Sequence, residues 1–224
     1  MTEEKIMDKT FLKWIQWLDV IYKEITGLSV NRHIFWEVQE IIKKNKKIQT
    51  PSSFYEFLGS AYASLAVMGI RRQIKIDKQS ISFARLLDQI AKTPSVISRR
   101  RFVALYGTDP RMIEMGERDF KKFSNTSGQH IDPTIVTADL ERLRTKASKC
   151  EKFADMRVAH FDKRALKNPP TFKDLDDCID YLEELLKKYT LIFRATCLTS
   201  VLPTWQYEWK DIFLHPWVDN HEEK

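Results

Sequence analysis

The stretch Phe153-Ala154-Asp155-Met156-Arg157-Val158-Ala159-His160-Phe161-Asp162-Lys163-Arg164 closes a long helical pattern and concentrates groups that handle protons and phosphates. At 3.6 residues per turn, Phe153, Arg157, His160 and Arg164 fall at i, i+4, i+7 and i+11. The last three therefore share one face, with an imidazole between two guanidiniums. An imidazole titrates near neutrality, whereas a guanidinium stays charged and fits phosphate oxygens in a bidentate way. Cleavage of RNA by its own 2′-hydroxyl needs those two services. The same spacing also fits a solvated helix face, because arginine stripes on helices are common.

Outward from this stretch the chain reads as helices. Upstream, Asp132-Pro133 pairs an N-cap with a first-turn proline, and Ile135, Leu140, Leu143 and Ala147 keep a helical period up to the stretch itself. That spacing predicts one helix from Asp132 through His160. Downstream, Asn168-Pro169-Pro170 breaks the chain and Thr171 with Asp174 restarts it. Leu175, Ile179, Leu182, Leu186, Tyr189 and Phe193 then form the seam of a helix packed nearly antiparallel on its neighbour. At the N-terminus, Phe11, Trp14, Ile15, Leu18, Ile21 and Ile25 recur at threes and fours. Gly27 is expected to stop this first helix, and Asn31 to cap a second that ends in the basic run Lys43–Lys47. Thr50-Pro51-Ser52-Ser53 with Glu56 opens a nearly all-apolar helix from Phe54 to about Gln73, rich in small residues and expected at the centre of a bundle. Ser80 or Ser82 caps a short helix, and Ser95 to Tyr106 forms another that carries Arg99, Arg100 and Arg101. Thr108 to Gln129 reads as short helices around a loop. After Thr199 comes an aromatic tail with Trp205, Tyr207, Trp209, Phe213 and Trp217, expected as a strap over the core or over a dimer face. Stacking of RNA bases on these rings is the other reading of the tail.

Composition agrees with a folded helical protein. The chain has 224 residues, 43% hydrophobic and 30% charged, with six Gly and eight Pro. A net charge of +6 and a pI near 9.1 favour polyanionic partners without requiring them. Cys150, Cys178 and Cys197 are odd in number and lack CxxC spacing, so they read as reduced thiols rather than as a disulfide framework or zinc site. No signal-peptide pattern and no apolar run of about 20 residues is present, and a cytoplasmic protein with no membrane contact is expected.

The run Met156-Arg157-Val158-Ala159-His160-Phe161-Asp162-Lys163-Arg164 resembles the signature of the HEPN superfamily, in the branch named after abortive-infection (Abi) proteins of the U type. The similarity extends through Asn31-Arg32-His33-Ile34-Phe35-Trp36, Met68-Gly69-Ile70-Arg71-Arg72-Gln73, Ser98-Arg99-Arg100-Arg101-Phe102-Val103-Ala104-Leu105-Tyr106 and Thr171-Phe172-Lys173-Asp174-Leu175, and so covers most of the chain. It implies an all-α bundle of the HEPN type with extra helices over 1–200 and the aromatic strap over 201–224. The resemblance also implies a homodimer and a metal-independent endoribonuclease without cofactors, acting as a toxin-like anti-phage effector. An antitoxin or other defence-system partner protein would accompany it. His160 takes the place of the signature histidine and Asp155 that of the polar residue that follows the signature arginine. Ala154 then stands in the arginine slot, a departure from the pattern. Three explanations stand side by side: a degenerate member, a chain in which Arg157 has taken over, or an alanine installed to silence a toxic residue. The implied catalytic set is thus His160, Arg157, Asp155 and position 154, with Arg164 and Lys163 as RNA-binding residues and no metal ligands. Without an arginine the chain would be inactive, and the alternative function is a non-catalytic RNA-binding or dimerising scaffold in a defence complex. A nucleotidyl-modified toxin, or the regulator of one, is a third reading.

Overall fold

The structure, a computed structural model, describes residues 3–158, 163 and 168–217. The described residues form seven α-helices and no strand: α1 (Glu3–Lys44), α2 (Ser53–Ile74), α3 (Phe83–Lys92), α4 (Arg99–Ala104), α5 (Pro110–Phe120), α6 (Pro133–Phe153) and α7 (Phe172–Arg194). The all-α class expected from the sequence stands. None of these helices is long and apolar enough to cross a membrane.

One core holds the helices together. From α1 it takes Trp14, Ile21 and Ile25; from α2, Ala66, Val67 and Ile70; from α3, Phe83, Leu86 and Leu87; from α6, Val136, Leu143 and Ala147. The whole expected seam of α7 is buried with them. Helix α6 lies in the middle, packed on α3, α2 and α7. Small residues allow the close approaches, and Gly69 on α2 leaves so little room that an added Cβ would lie 2.4 Å from Leu28 Cδ2 on α1.

Helix starts follow their caps. The Ser52, Ser82, Ser98 and Asp109 side chains accept backbone N–H bonds at the starts of α2 to α5, and Asp132 does the same for α6. Thr171 and Asp174 make the reciprocal capping box of α7. Asp174 also accepts a hydrogen bond from Lys149 on α6, at 2.8 Å. That bond first, and the Thr171 backbone and hydroxyl next, draw the Asp174 carboxyl down to about 2.

Two expectations are corrected. Gly27 does not stop the first helix, and Asn31 caps nothing: α1 runs unbroken from Glu3 to Lys44. A helical glycine costs about 1 kcal/mol relative to alanine. Burial of Leu28 and Phe35 beyond it outweighs that cost, since a fully buried large apolar side chain contributes roughly 1.5–3 kcal/mol. The segment from Thr108 also holds one full helix, α5, rather than several short ones.

The tail after α7 lies on α1. Trp205 stacks on His33 at 5.9 Å and Lys210 pairs with Glu37 at 2.6 Å. Trp209, Phe213 and Trp217 continue the row of rings at 6.0–6.3 Å spacings. Its near half acts as the expected strap, whereas Tyr207, Leu214 and Trp217 face solvent.

The two glycines should behave oppositely. Gly69→Ala should destabilise by about 1–2 kcal/mol, because Leu28 must leave its packed rotamer. Gly27→Ala should stabilise by about 0.5–1 kcal/mol, because an added Cβ there meets nothing within 4 Å. Urea denaturation of the two variants checks both signs. Asp174 gives a pH dependence. Its carboxyl is depressed in the folded state, so its contribution is complete above the unfolded value near 4 and is lost as pH falls through about 2. Asp174→Asn should flatten the acid limb of a thermal stability profile over that window.

Candidate functional site

The helix that carries the signature does not run straight through it. After Phe153 the backbone of α6 widens into a π-helical turn over Ala154–Val158. The expectation of one α-helix to His160 is corrected over Ala154–Val158, while the face expected for Arg157, His160 and Arg164 rests on residues outside the described ones. A π turn bonds i to i+5, so Arg157 is not placed over Phe153 by the 3.6-residue rule. Such turns are rare and recur at functional sites.

The turn sorts the candidate residues. Ala154 is fully buried and belongs to the core. It cannot itself present a group to a ligand, and a guanidinium at this position would start from within the packed bundle. Asp155, the next residue, is half-exposed. Its Oδ1 accepts a hydrogen bond from Arg71 Nε of α2 at 2.5 Å, an ion pair with side-chain exposures of 25% and 42% for Arg71 and Asp155. Arg157 is half-buried and interacts with its surroundings. Lys163 is exposed. His160 and Arg164 lie outside the described residues.

Arg71 is the functional candidate that sequence reasoning passed over. It closes the apolar helix α2, where a cation suits the helix dipole, and only its membership in the Met68–Gln73 stretch drew notice. Nothing local indicates that it meets a carboxylate 84 positions later. Two further pairs flank it, Lys75 with Glu151 at 3.5 Å and Arg72 with Glu24 at 2.9 Å. The end of α2 is therefore a row of cations facing the last turns of α6 and its own neighbour α1.

Other stretches that carried the resemblance serve the fold. Arg32 on α1 bonds to Asp180 at 2.5 Å and Glu183 at 2.8 Å on α7. Trp36 Nε1 and the Tyr62 hydroxyl both donate to Asp176. Burial first, and the Asp176 charge next, push the Tyr62 phenol well above its ordinary value, so it stays a neutral donor. Arg99 pairs with Glu117, and Arg101 with Asp8, so both are held by carboxylates on neighbouring helices.

Chemically, the site offers a guanidinium held on a carboxylate at the lip of the turn that leads to His160. A phosphate oxygen competes well for such a guanidinium, because the fork geometry suits carboxylate and phosphate alike. Comparison of the chain with known protein families, with curated proteins and with solved structures gave no match.

Ala154→Arg should cost about 2–4 kcal/mol of stability, since a buried cation without a partner is among the costliest substitutions. Ala154→Ser should cost less, about 1 kcal/mol, because a hydroxyl can return its bond to the preceding turn. Chemical denaturation of the two proteins measures the difference.

Proposed function

We propose that the chain is a HEPN-type, metal-independent endoribonuclease that cuts RNA through attack of the 2′-hydroxyl. His160 moves the proton as general base or acid. Arg71 and Arg157 hold the phosphate and stabilise the charge that develops on it. Asp155 keeps the Arg71 guanidinium oriented until RNA takes its place. The observation that carries this reading is the Arg71–Asp155 pair on the π-helical turn, because it brings a second helix's arginine to the signature whose own arginine slot holds Ala154. Arg164 and Lys163 add contacts to the RNA backbone. Two copies are proposed to meet with their signature helices at or near a shared cleft, since one protomer offers few catalytic groups. The biological role that goes with this chemistry is a cytoplasmic toxin-like effector of anti-phage defence, restrained by a partner protein.

The burial of Ala154 favours a second reading, in which the chain binds RNA or dimerises as a scaffold in a defence complex without cutting. A small apolar residue suits that core position and leaves the signature without its own arginine.

Purified protein incubated with RNA in the presence of a metal chelator separates the two. His160→Ala should lower cleavage by about 10²–10⁴-fold, the usual contribution of a positioned acid or base. Arg71→Ala should lower it by about 10²–10³-fold, as loss of one charge-stabilising donor does, and Arg71→Lys should recover part of it. Full activity of the His160→Ala protein contradicts the enzymatic reading. Retained RNA binding with no cutting by the unmodified chain establishes the scaffold instead.

A further inference from the structure

Two thiols that the RNA chemistry does not use lie one turn below the signature. Cys150 near the end of α6 and Cys178 on α7 are both buried, and their sulfurs stand 4.0 Å apart. The single Cys178 thiol proton has the Lys146 carbonyl, at 3.1 Å, as an alternative acceptor to Cys150. Cys197, by contrast, is exposed. The two buried cysteines are 28 positions apart, and every signature residue from Ala154 to Arg164 lies between them.

We propose that Cys150 and Cys178 are a redox-modification site, oxidised by a small peroxide to a disulfide that ties α6 to α7 and closes the segment carrying the signature into a covalent loop. This does not depend on what the protein does to RNA. A disulfide needs the sulfurs to close from 4.0 Å to about 2.05 Å, by rotation about the two Cα–Cβ bonds and adjustment of the packed helices. The pair is also polarised. Its mutual hydrogen bond draws the Cys150 thiol below its ordinary value, while the same bond and burial push Cys178 up. Cys150 is thus the attacking sulfur, since the thiolate is the nucleophile.

The chemistry balances without a metal. The Cys150 sulfur attacks one peroxide oxygen, the O–O bond breaks, and the second oxygen leaves as water with the thiol proton. Cys150 becomes a sulfenic acid. The Cys178 sulfur then attacks the Cys150 sulfur, the S–O bond breaks, and the hydroxyl leaves as water with the Cys178 proton. Two thiols and one hydrogen peroxide give one disulfide and two waters. The peroxide is reduced and both sulfurs are oxidised.

A loop of this length closed in the unfolded chain raises the midpoint of thermal unfolding, here by roughly 5–10 °C. The test uses the full chain, treated with hydrogen peroxide, unfolded in the presence of an alkylating agent and mapped by mass spectrometry. A Cys150–Cys178 linked peptide, a midpoint raised as stated, and reversal of both by dithiothreitol are expected. In Cys178→Ala, a sulfenic acid trapped at Cys150 and no rise in the midpoint are expected. Alkylation of both Cys150 and Cys178 under conditions that fully oxidise Cys197 overturns the proposal, as does a linked pair in which either buried cysteine is joined to Cys197. The unmodified chain alone decides these outcomes if the variant does not fold.

Discussion

The burial of Ala154 ties the π-helical turn at the end of α6 to the core. Ala154 is locked among core side chains where α6 gives way to that turn, and Asp155, the next residue of the turn, is half-exposed. Asp155 then meets Arg71, and the cations that end α2 face the last turns of α6. Such a half-exposed ion pair contributes at most about 1 kcal/mol to folding. Its value lies in placing a guanidinium, and the core beneath it supplies the stability.

The parts of the fold legible in the sequence were those written in local chemistry. Asp132-Pro133 and the Thr171/Asp174 box start their helices as their residue types dictate, and the four-three seam of α7 is buried along its length. Gly27 misled because a single glycine is a weak breaker, overcome once Leu28 and Phe35 have a core to enter. The π-helical turn was not legible at all. Backbone hydrogen-bond register leaves no mark in the spacing of Arg157, His160 and Arg164, and a face drawn at 3.6 residues per turn assumed that register.

The candidate site was legible only as a segment. Spacing singled out Arg157 and the resemblance singled out Asp155, yet the guanidinium on Asp155 comes from a helix far upstream. Long-range pairs of this kind depend on how α2 packs on α6, which no local pattern of residues records. The arginines that looked more conspicuous, Arg99 and Arg101, are held by Glu117 and Asp8. Likewise, the aromatic tail has its inner rings seated on His33 and its outer ones in solvent.

The chemistry of the cut ends tests the central claim most directly. A defined RNA oligonucleotide is incubated with the unmodified protein and a metal chelator, and the fragments are weighed by mass spectrometry. Attack by the 2′-hydroxyl leaves a 2′,3′-cyclic phosphate on one fragment and a 5′-hydroxyl on the other, and that pair of ends is the expected result. Intact RNA, or fragments that end in a 3′-hydroxyl and a 5′-phosphate, would contradict it.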